Sequence, residues 1–230
     1  LGCDTVTTCS PSRKFMFSPD VVEDSSGANV LLIGSGDREK PLRSYTGALS
    51  VVNHFYMLVD KPSDSTWLSN ESANCGVGNG FMCQASLLAI NGTTNPDPAA
   101  LASKKGWYLA LAAGEQVVTS SVTAYGTTTF STHIPSDPNH IQSCKADLGT
   151  ANVYNLAYAN AEGTGTGRFQ NVVGGGLSPS PVVHRVLLDD GSQRDVVVGG
   201  SPVSPLAPTG AVPQAGFKQP KGRVYWFIQR

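Results

Sequence analysis

The feature that most constrains the fold is a strand pattern that the chain repeats three times. Each copy contains a short β-type strand, a turn, a second strand, a loop, and a third strand rich in aromatic residues. The copies span about residues 17–60, 117–163 and 179–229, and their aromatic strands lie at residues 54–59, 152–156 and 223–227. Such repetition constrains the whole architecture, because one unit can bury its apolar face only against its neighbours.

This order of strands is typical of one blade of a β-propeller, and it predicts an all-β chain of antiparallel blades. The 25 glycines and 15 prolines fit many turns and few long helices. A long insertion at about residues 61–104 separates the first two repeats. Because a propeller needs about four to eight blades, three repeats predict a fragment of a longer, secreted polypeptide with a modified β-propeller.

The composition argues against two classes of partner. The formal net charge is -1, the charged fraction is 14%, and no basic stripe is present, so nucleic acids and anionic membranes are unsuitable partners. No apolar run reaches the roughly 20 residues that a membrane-spanning helix requires. We therefore expect a protein that binds no nucleic acid and does not span a membrane.

The cysteine spacing indicates an oxidising compartment. Cys3 and Cys9 bracket a short polar loop, and Cys75 and Cys83 bracket a glycine-rich one. Both spacings fit local disulfides of a secreted protein, although free thiols in a cytosolic protein are the alternative. The Cys-x-x-Cys spacing typical of zinc is missing. Cys144 is left over, either as a buried thiol or as the partner of a cysteine outside this sequence.

No arrangement of residues in the sequence predicts catalysis. The 34–36 Gly-Ser-Gly stretch follows a strand, but no helix pattern follows it, which argues against a nucleotide site. A Gly-x-Ser-x-Gly nucleophile motif is missing. His133 and His140 could hold a metal, but a metal-free surface loop is the simpler interpretation. We therefore expect a non-enzymatic protein with no cofactor and no metal site.

Turn residues predict two hairpins, and composition predicts the character of the connecting segments. Residues 105–111 and 114–118 look like a hairpin, and residues 189–192 look like the turn of another. Residues 82–90 form a strand or a short helix, residues 162–178 a linker, and residues 201–221 a proline-rich loop. The alternating charges at residues 37–40 predict local or inter-blade ion pairs.

Binding is expected in the long loops, because a rigid scaffold fixes their ends. The two chief loops are residues 61–103 and 135–150. Their candidate binding residues are Trp67, Asn70, Phe81, His133, Asp137 and His140.

Several segments resemble the C-terminal domain of the PilY-type (PilC-type) type IV pilus tip-associated adhesins. They are residues 30–42, 53–58, 106–111 with 114–118, 130–135 ahead of Cys144, and 223–226, in the order of that family. The resemblance implies that residues 1–230 are the C-terminal part of one β-propeller domain, displayed through the periplasm at the pilus tip or outer surface. It also implies work with minor pilins in pilus assembly and retraction, and adhesion to host or abiotic surfaces. The family's Asp-rich calcium loop and Arg-Gly-Asp triplet are missing here.

Two other functions compete with this one. Residues 153–163 faintly resemble the blade repeat of quinoprotein-like dehydrogenases, although the Thr-Gly and closing Trp of that repeat are missing. A purely structural part of a filament or surface layer would use the same fold and disulfides.

Overall fold

The described part of the chain forms three β-sheets that follow one another in sequence. The computed structural model describes residues 1–3, 9, 12–76, 78, 80–136, 147–204 and 208–210. In the first sheet the strand order is β1-β2-β3-β5-β4, and every pair is antiparallel except β4 with β5. Its strands are β1 (Asp20–Glu23), β2 (Asn29–Gly34), β3 (His54–Asp60), β4 (Leu88–Ile90) and β5 (Gly106–Ala110).

The second sheet is antiparallel throughout. Its strand order is β10-β9-β8-β6, and β7 also pairs with β8. The strands are β6 (Gln116–Val117), β7 (Val122–Ala124), β8 (Thr127–Ile134), β9 (Thr150–Ala157) and β10 (Phe169–Asn171). The tight β7–β8 turn places Tyr125 and Gly126 at φ 51° and 87°, the left-handed pair that suits the twist of a hairpin.

The third sheet is a small antiparallel one with strand order β11-β12-β13. It contains β11 (Val182–Leu187), β12 (Gln193–Val198) and β13 (Pro208–Gly210). The predicted hairpin turn at residues 189–192 is confirmed, with Gly191 at φ 79° and the Ser192 N–H donating to the Asp190 carboxylate over 2.8 Å. The short side chain of Asp190 closes this turn by binding the backbone two residues on.

Three short helices lie in the connections: α1 (Thr46–Leu49), α2 (Glu71–Cys75) and α3 (Pro98–Ala102). Residues 82–90 contain both predicted alternatives, a 3-10 turn at Gln84–Ser86 and then β4. Among the described residues, no helix has the length and apolar character needed to cross a membrane.

The main core lies between the first and second sheets. Phe55 of β3 stacks on Phe130 of β8 with ring centroids 3.8 Å apart, and Phe130 stacks on Tyr154 of β9 at 4.8 Å. Trp107 of β5 is fully buried, and its Nε1–H donates to the Tyr158 carbonyl over 2.9 Å. The aromatic residues of the first two repeats therefore pack the two sheets together.

The predominance of antiparallel strands confirms the all-β prediction. Within the described residues the sheets close neither a barrel nor a ring. The aromatic strand predicted at residues 223–227, like Cys144, lies outside the described part of the chain.

The predicted hairpin of residues 105–111 and 114–118 is wrong. β5 belongs to the first sheet, whereas β6 pairs with β8 in the second. The Leu111 N–H donates to the Asn53 carbonyl and the Val118 N–H to the Ser131 carbonyl, so the chain crosses between sheets here. The linker and loop predictions are wrong in part too, since β10 lies within residues 162–178 and β13 within residues 201–221.

Asp20 of β1 places a carboxylate on the core side of the first sheet. It lies opposite the buried Leu32 in the register, and its Oδ2 is buried without a hydrogen-bond partner. Burial raises the pKa of Asp20 above its ordinary value of 3.8, so the folded protein holds this proton more tightly than the unfolded chain. The stability that depends on this proton is complete below the ordinary pKa and is lost as the pH rises through the raised pKa.

Replacing Asp20 by asparagine should therefore stabilise the protein at neutral pH. We expect a gain of up to about 1 kcal/mol near pH 7 and little change near pH 3, in urea unfolding at both values. Asp64→Asn is the matched control, because hydrogen bonds from Thr66 lower the pKa of the exposed Asp64; it should bring no gain at neutral pH. Equal effects of Asp20→Asn at both pH values would contradict the argument.

Candidate functional site

A cleft of about 480 Å³ lies beside the edge where the first sheet meets the second. One wall is the segment that follows β2, including Gly36 and Asp37. Residues of the 44–51 segment, which contains α1, also line the cleft. The rest of the lining is Ser12 and Lys14 of the N-terminal segment, Gln116 of β6, Lys40 and Asn53. The volume lies in the range of about 300–1,000 Å³ that is typical of small-ligand sites.

An ion pair and a buried amide fix the polar side of the cleft. Lys14 Nζ lies 2.6 Å from Asp37 Oδ2, and the Asp37 N–H donates to Gln116 Oε1 over 2.7 Å. The hydrogen bond and the charge of Asp37 raise the pKa of Lys14, so its ammonium stays charged at neutral pH. Gln116 is buried, which holds its carboxamide in one orientation.

The Gly-Ser-Gly stretch at residues 34–36 is a close-packed junction between the two sheets. A Cβ at Gly34 would clash with the Val117 side chain, and one at Gly36 would clash with the Val117 backbone. Ser35 Oγ donates to Asn53 Oδ1 over 3.1 Å, and Val117 N–H donates to the Ser35 carbonyl over 3.1 Å. Glycine is needed here because the backbones approach one another closely.

The lining from the 44–51 segment is partly apolar. Tyr45 is exposed, and Lys40 Nζ lies 4.7 Å from the centroid of its ring, within the range of a cation–π contact. Ala48 and Val51 add further apolar surface to the lining. The cleft therefore combines an aromatic wall with charged and amide groups.

The sequence predicts local or inter-blade ion pairs for the charged 37–40 segment. In the structure Asp37 pairs with Lys14 of the N-terminal segment, 23 residues away in the chain. Arg38 instead donates from Nη1 to the backbone carbonyls of Val118 and Ser178. Arg38 thereby links the segment after β2 to the segments that follow β6 and β10.

The disulfide predictions are confirmed for both pairs. Cys3 pairs with Cys9 at a Cα–Cα distance of 4.8 Å, and Cys75 pairs with Cys83 at 5.7 Å. The second disulfide closes the loop that begins at the C-terminus of α2. Both bridges fit an extracytoplasmic, oxidising compartment.

The predicted binding residues of the 61–103 loop differ in accessibility. Trp67 is only partly exposed: its Nε1–H donates to the Val59 carbonyl over 2.9 Å, and Lys105 Nζ lies 3.7 Å from its ring centroid. Asn70 is exposed just before α2, and Phe81 is 61% exposed in the disulfide loop. Phe81 is therefore the large apolar side chain of this group that a partner could reach.

His133 makes an ordinary structural contact. His133 of β8 is buried, with Nε2 2.8 Å from the Leu148 carbonyl oxygen. Asp137 and His140, which were predicted beside it, lie outside the described residues. Among the residues that the structure does describe, no group of three or more His, Cys, Asp or Glu side chains is placed to hold a metal ion.

Comparison with solved structures shows a likeness in fold. No protein-family model matches the sequence, and no curated protein sequence matches it. The crystal structure of the Pseudomonas aeruginosa PilY1 C-terminal domain is similar, with a TM-score of 0.50 and 11% identity. The match covers 84% of this chain and 46% of that chain, so this chain spans less than half of the solved domain. The likeness shows that the described chain has a PilY-like fold.

Proposed function

We propose that this protein is a non-enzymatic, type IV pilus-associated protein displayed outside the cell at the pilus tip. In this proposal its three sheets are blades of a modified β-propeller, and its loops bind minor pilins and a host or abiotic surface. Its role is to support pilus assembly and retraction and to promote adhesion. The observation that carries the proposal is the PilY-like fold over 84% of the chain.

The positions of the segments that resemble the PilY-type family support the proposal. Residues 30–42 form β2 and the glycine junction, and residues 53–58 and 106–111 form β3 and β5. Residues 130–134 form the end of β8. These segments meet at the contact between the first and second sheets, where Asn53 Nδ2 donates to the Glu115 carbonyl over 3.0 Å. The resemblance thus concentrates in residues that build the scaffold.

The two disulfides support a location outside the cytoplasm. The disulfide loop that carries Phe81 supports binding by the 61–103 insertion. An exposed aromatic side chain on a covalently closed loop is a suitable interface anchor, because little conformational freedom is lost when it binds.

The test is capture of purified minor pilins by the immobilised full chain, together with adhesion of coated beads to epithelial cells and glass. We expect capture and adhesion by the unaltered chain, and at least about tenfold weaker pilin binding for Phe81→Ala. Leu187→Ala is the matched control, since Leu187 is similarly exposed, at 69%, but lies on β11.

The outcomes separate the parts of the proposal. A chain that captures no minor pilin and adheres to no surface would overturn the function. If Phe81→Ala and Leu187→Ala reduced pilin capture equally, only the proposed role of the disulfide loop would be wrong. Quinone-dependent dye reduction by the chain would overturn the non-enzymatic part.

A further inference from the structure

The exposed charged groups that line the cleft beside α1 are the ammonium groups of Lys14 and Lys40, which only donate hydrogen bonds. The Lys14 side chain is 51% exposed and spends one N–H on Asp37, which leaves two for a ligand. Gln116 and Asn53 also line the cleft, but both are buried and their amides bind the protein: Gln116 Oε1 accepts from the Asp37 N–H, and Asn53 Nδ2 donates to the Glu115 carbonyl. Lys40 adds an exposed ammonium at the rim. Such a lining favours a ligand rich in acceptor oxygens.

The charge of the lining favours an anion. Of the residues that line the cleft, Lys14 and Lys40 are cationic and Asp37 is anionic, so two positive charges and one negative charge leave a net charge of +1. Asp37 is neutralised by Lys14 at 2.6 Å, which leaves Lys40 as the uncompensated charge among these residues. A charge-assisted hydrogen bond to a carboxylate is about twice as strong as a neutral one.

The remaining lining suits hydroxyl groups better than a peptide. The serines at 12 and 44 and Thr46 supply exposed hydroxyl groups, and Tyr45 supplies an aromatic surface. Apart from Gln116 of β6, the lining consists of loop residues and the four-residue α1. Peptides bound in extended form usually pair with a strand edge, but β6 has only two residues and the Val117 N–H already donates to the Ser35 carbonyl. A hydroxyl-rich ring with a carboxylate fits the groups that are present.

We propose that this cleft binds an acidic saccharide, with the carboxylate of a uronic acid unit at Lys40 and Lys14 and its hydroxyl groups at the exposed serine and threonine hydroxyls of the lining. Tyr45 would lie against the sugar ring. The inference deepens the proposed adhesion function by naming a ligand class. It concerns a surface distinct from the disulfide loop of Phe81.

The test is isothermal titration of the full chain with tetragalacturonate and with its fully methyl-esterified form, which has the same size and no charge. We expect the acid to bind at least about tenfold more tightly than the ester, and added salt to weaken its binding. Lys40→Gln should weaken binding of the acid about tenfold. Lys61→Gln is the matched control, since Lys61 also lies over an aromatic ring, 4.3 Å from the Trp67 centroid, but does not line the cleft; it should change nothing.

Three results would overturn the proposal. They are equal affinity for the acid and the ester, equal effects of Lys40→Gln and Lys61→Gln, and binding only of a tetrapeptide with a free C-terminal carboxylate. Minor-pilin capture by the Lys40→Gln protein should stay unchanged. If the unaltered chain bound the saccharide but captured no minor pilin, the proposed pilus function would be wrong and the saccharide site would still be supported.

Discussion

Replacing Glu115 by alanine should destabilise the protein by about 3–5 kcal/mol, measured by urea unfolding under oxidising conditions. Glu115 is buried, and its Oε1 accepts from Thr132 Oγ1, from Asn152 Nδ2 over 2.9 Å and from the Tyr154 hydroxyl over 3.0 Å. Its Oε2 accepts from the Ala112 N–H over 3.0 Å. Alanine would leave these four donors without their acceptor, and each buried unpaired group costs about 1–3 kcal/mol before relaxation.

Two further variants make this prediction specific. In Glu115→Gln one side-chain oxygen can still accept hydrogen bonds, but the new NH₂ group faces either the Ala112 N–H or the donors of β8 and β9. We therefore expect a smaller loss of stability, of about 1–2 kcal/mol. Glu162→Ala is the control for removing a glutamate, because Glu162 is exposed; it should cost no more than about 0.5 kcal/mol. If Glu115→Ala cost no more than this control, the buried carboxylate would not stabilise the contact between the β5–β6 connection and strands β8 and β9.

The environment of Tyr154 gives this network a spectroscopic readout. Burial, followed by the charge and hydrogen bond of Glu115, raises the pKa of Tyr154 well above its ordinary value. The phenol should therefore resist ionisation in alkaline titrations until the protein unfolds. In Glu115→Ala the charge is removed and the site opens, so tyrosine ionisation should begin at lower pH.

The sequence predicts strands well where the deciding interactions are local. β2 is a short continuous apolar run bounded by turn residues, which predicts a strand, and its positions alternate between half-buried and buried. The β7–β8 turn contains Gly126, and the β11–β12 turn contains Asp190 and Gly191. Turn chemistry of this kind acts within four residues, so a single sequence reveals it.

The sequence predicts strand partners poorly where the deciding contacts are distant. Residues 106–118 have the composition of a hairpin, yet the Val117 N–H binds the Ser35 carbonyl and the Leu111 N–H binds the Asn53 carbonyl. Arg168, in the predicted linker, is buried and donates to the carbonyls of Ala161, Gly92 and Thr94. No local pattern indicates that these backbone groups meet.

The cleft could not be predicted for the same reason. Lys14 and Asp37 are 23 residues apart in sequence, and Asp37 and Gln116 are 79 apart. The sequence did identify the charged 37–40 segment, but not the groups it contacts. Within the 61–103 insertion, it correctly indicated a disulfide-closed loop, whereas only the structure distinguishes the packed Trp67 from the exposed Phe81.

Replacing Phe130 by alanine should cost about 3–5 kcal/mol. The Phe130 ring is fully buried between Phe55 of the first sheet and Tyr154 of the second, at centroid distances of 3.8 and 4.8 Å. Its removal would leave a cavity at the contact between the sheets, and the rigid strands on both sides can close it only in part. Urea unfolding followed by tryptophan fluorescence would report the loss directly, because the buried Trp107 belongs to the same core cluster.

A double-mutant cycle would show whether this cost arises from joining the two sheets. The stacked Phe55–Phe130 pair should have a coupling energy of about 0.5–1.5 kcal/mol. Phe169→Ala is the matched control: its ring also contacts Tyr154, at 5.1 Å, but it is 47% exposed on the edge strand β10, so its loss should cost less than about 1 kcal/mol. If Phe55→Ala and Phe130→Ala were strictly additive, the two sheets would be held by their backbone junction at residues 34–36 rather than by the aromatic stack. In that case a substitution at Gly36, where a Cβ would clash with Val117, should lower the free energy of unfolding more than Phe130→Ala does.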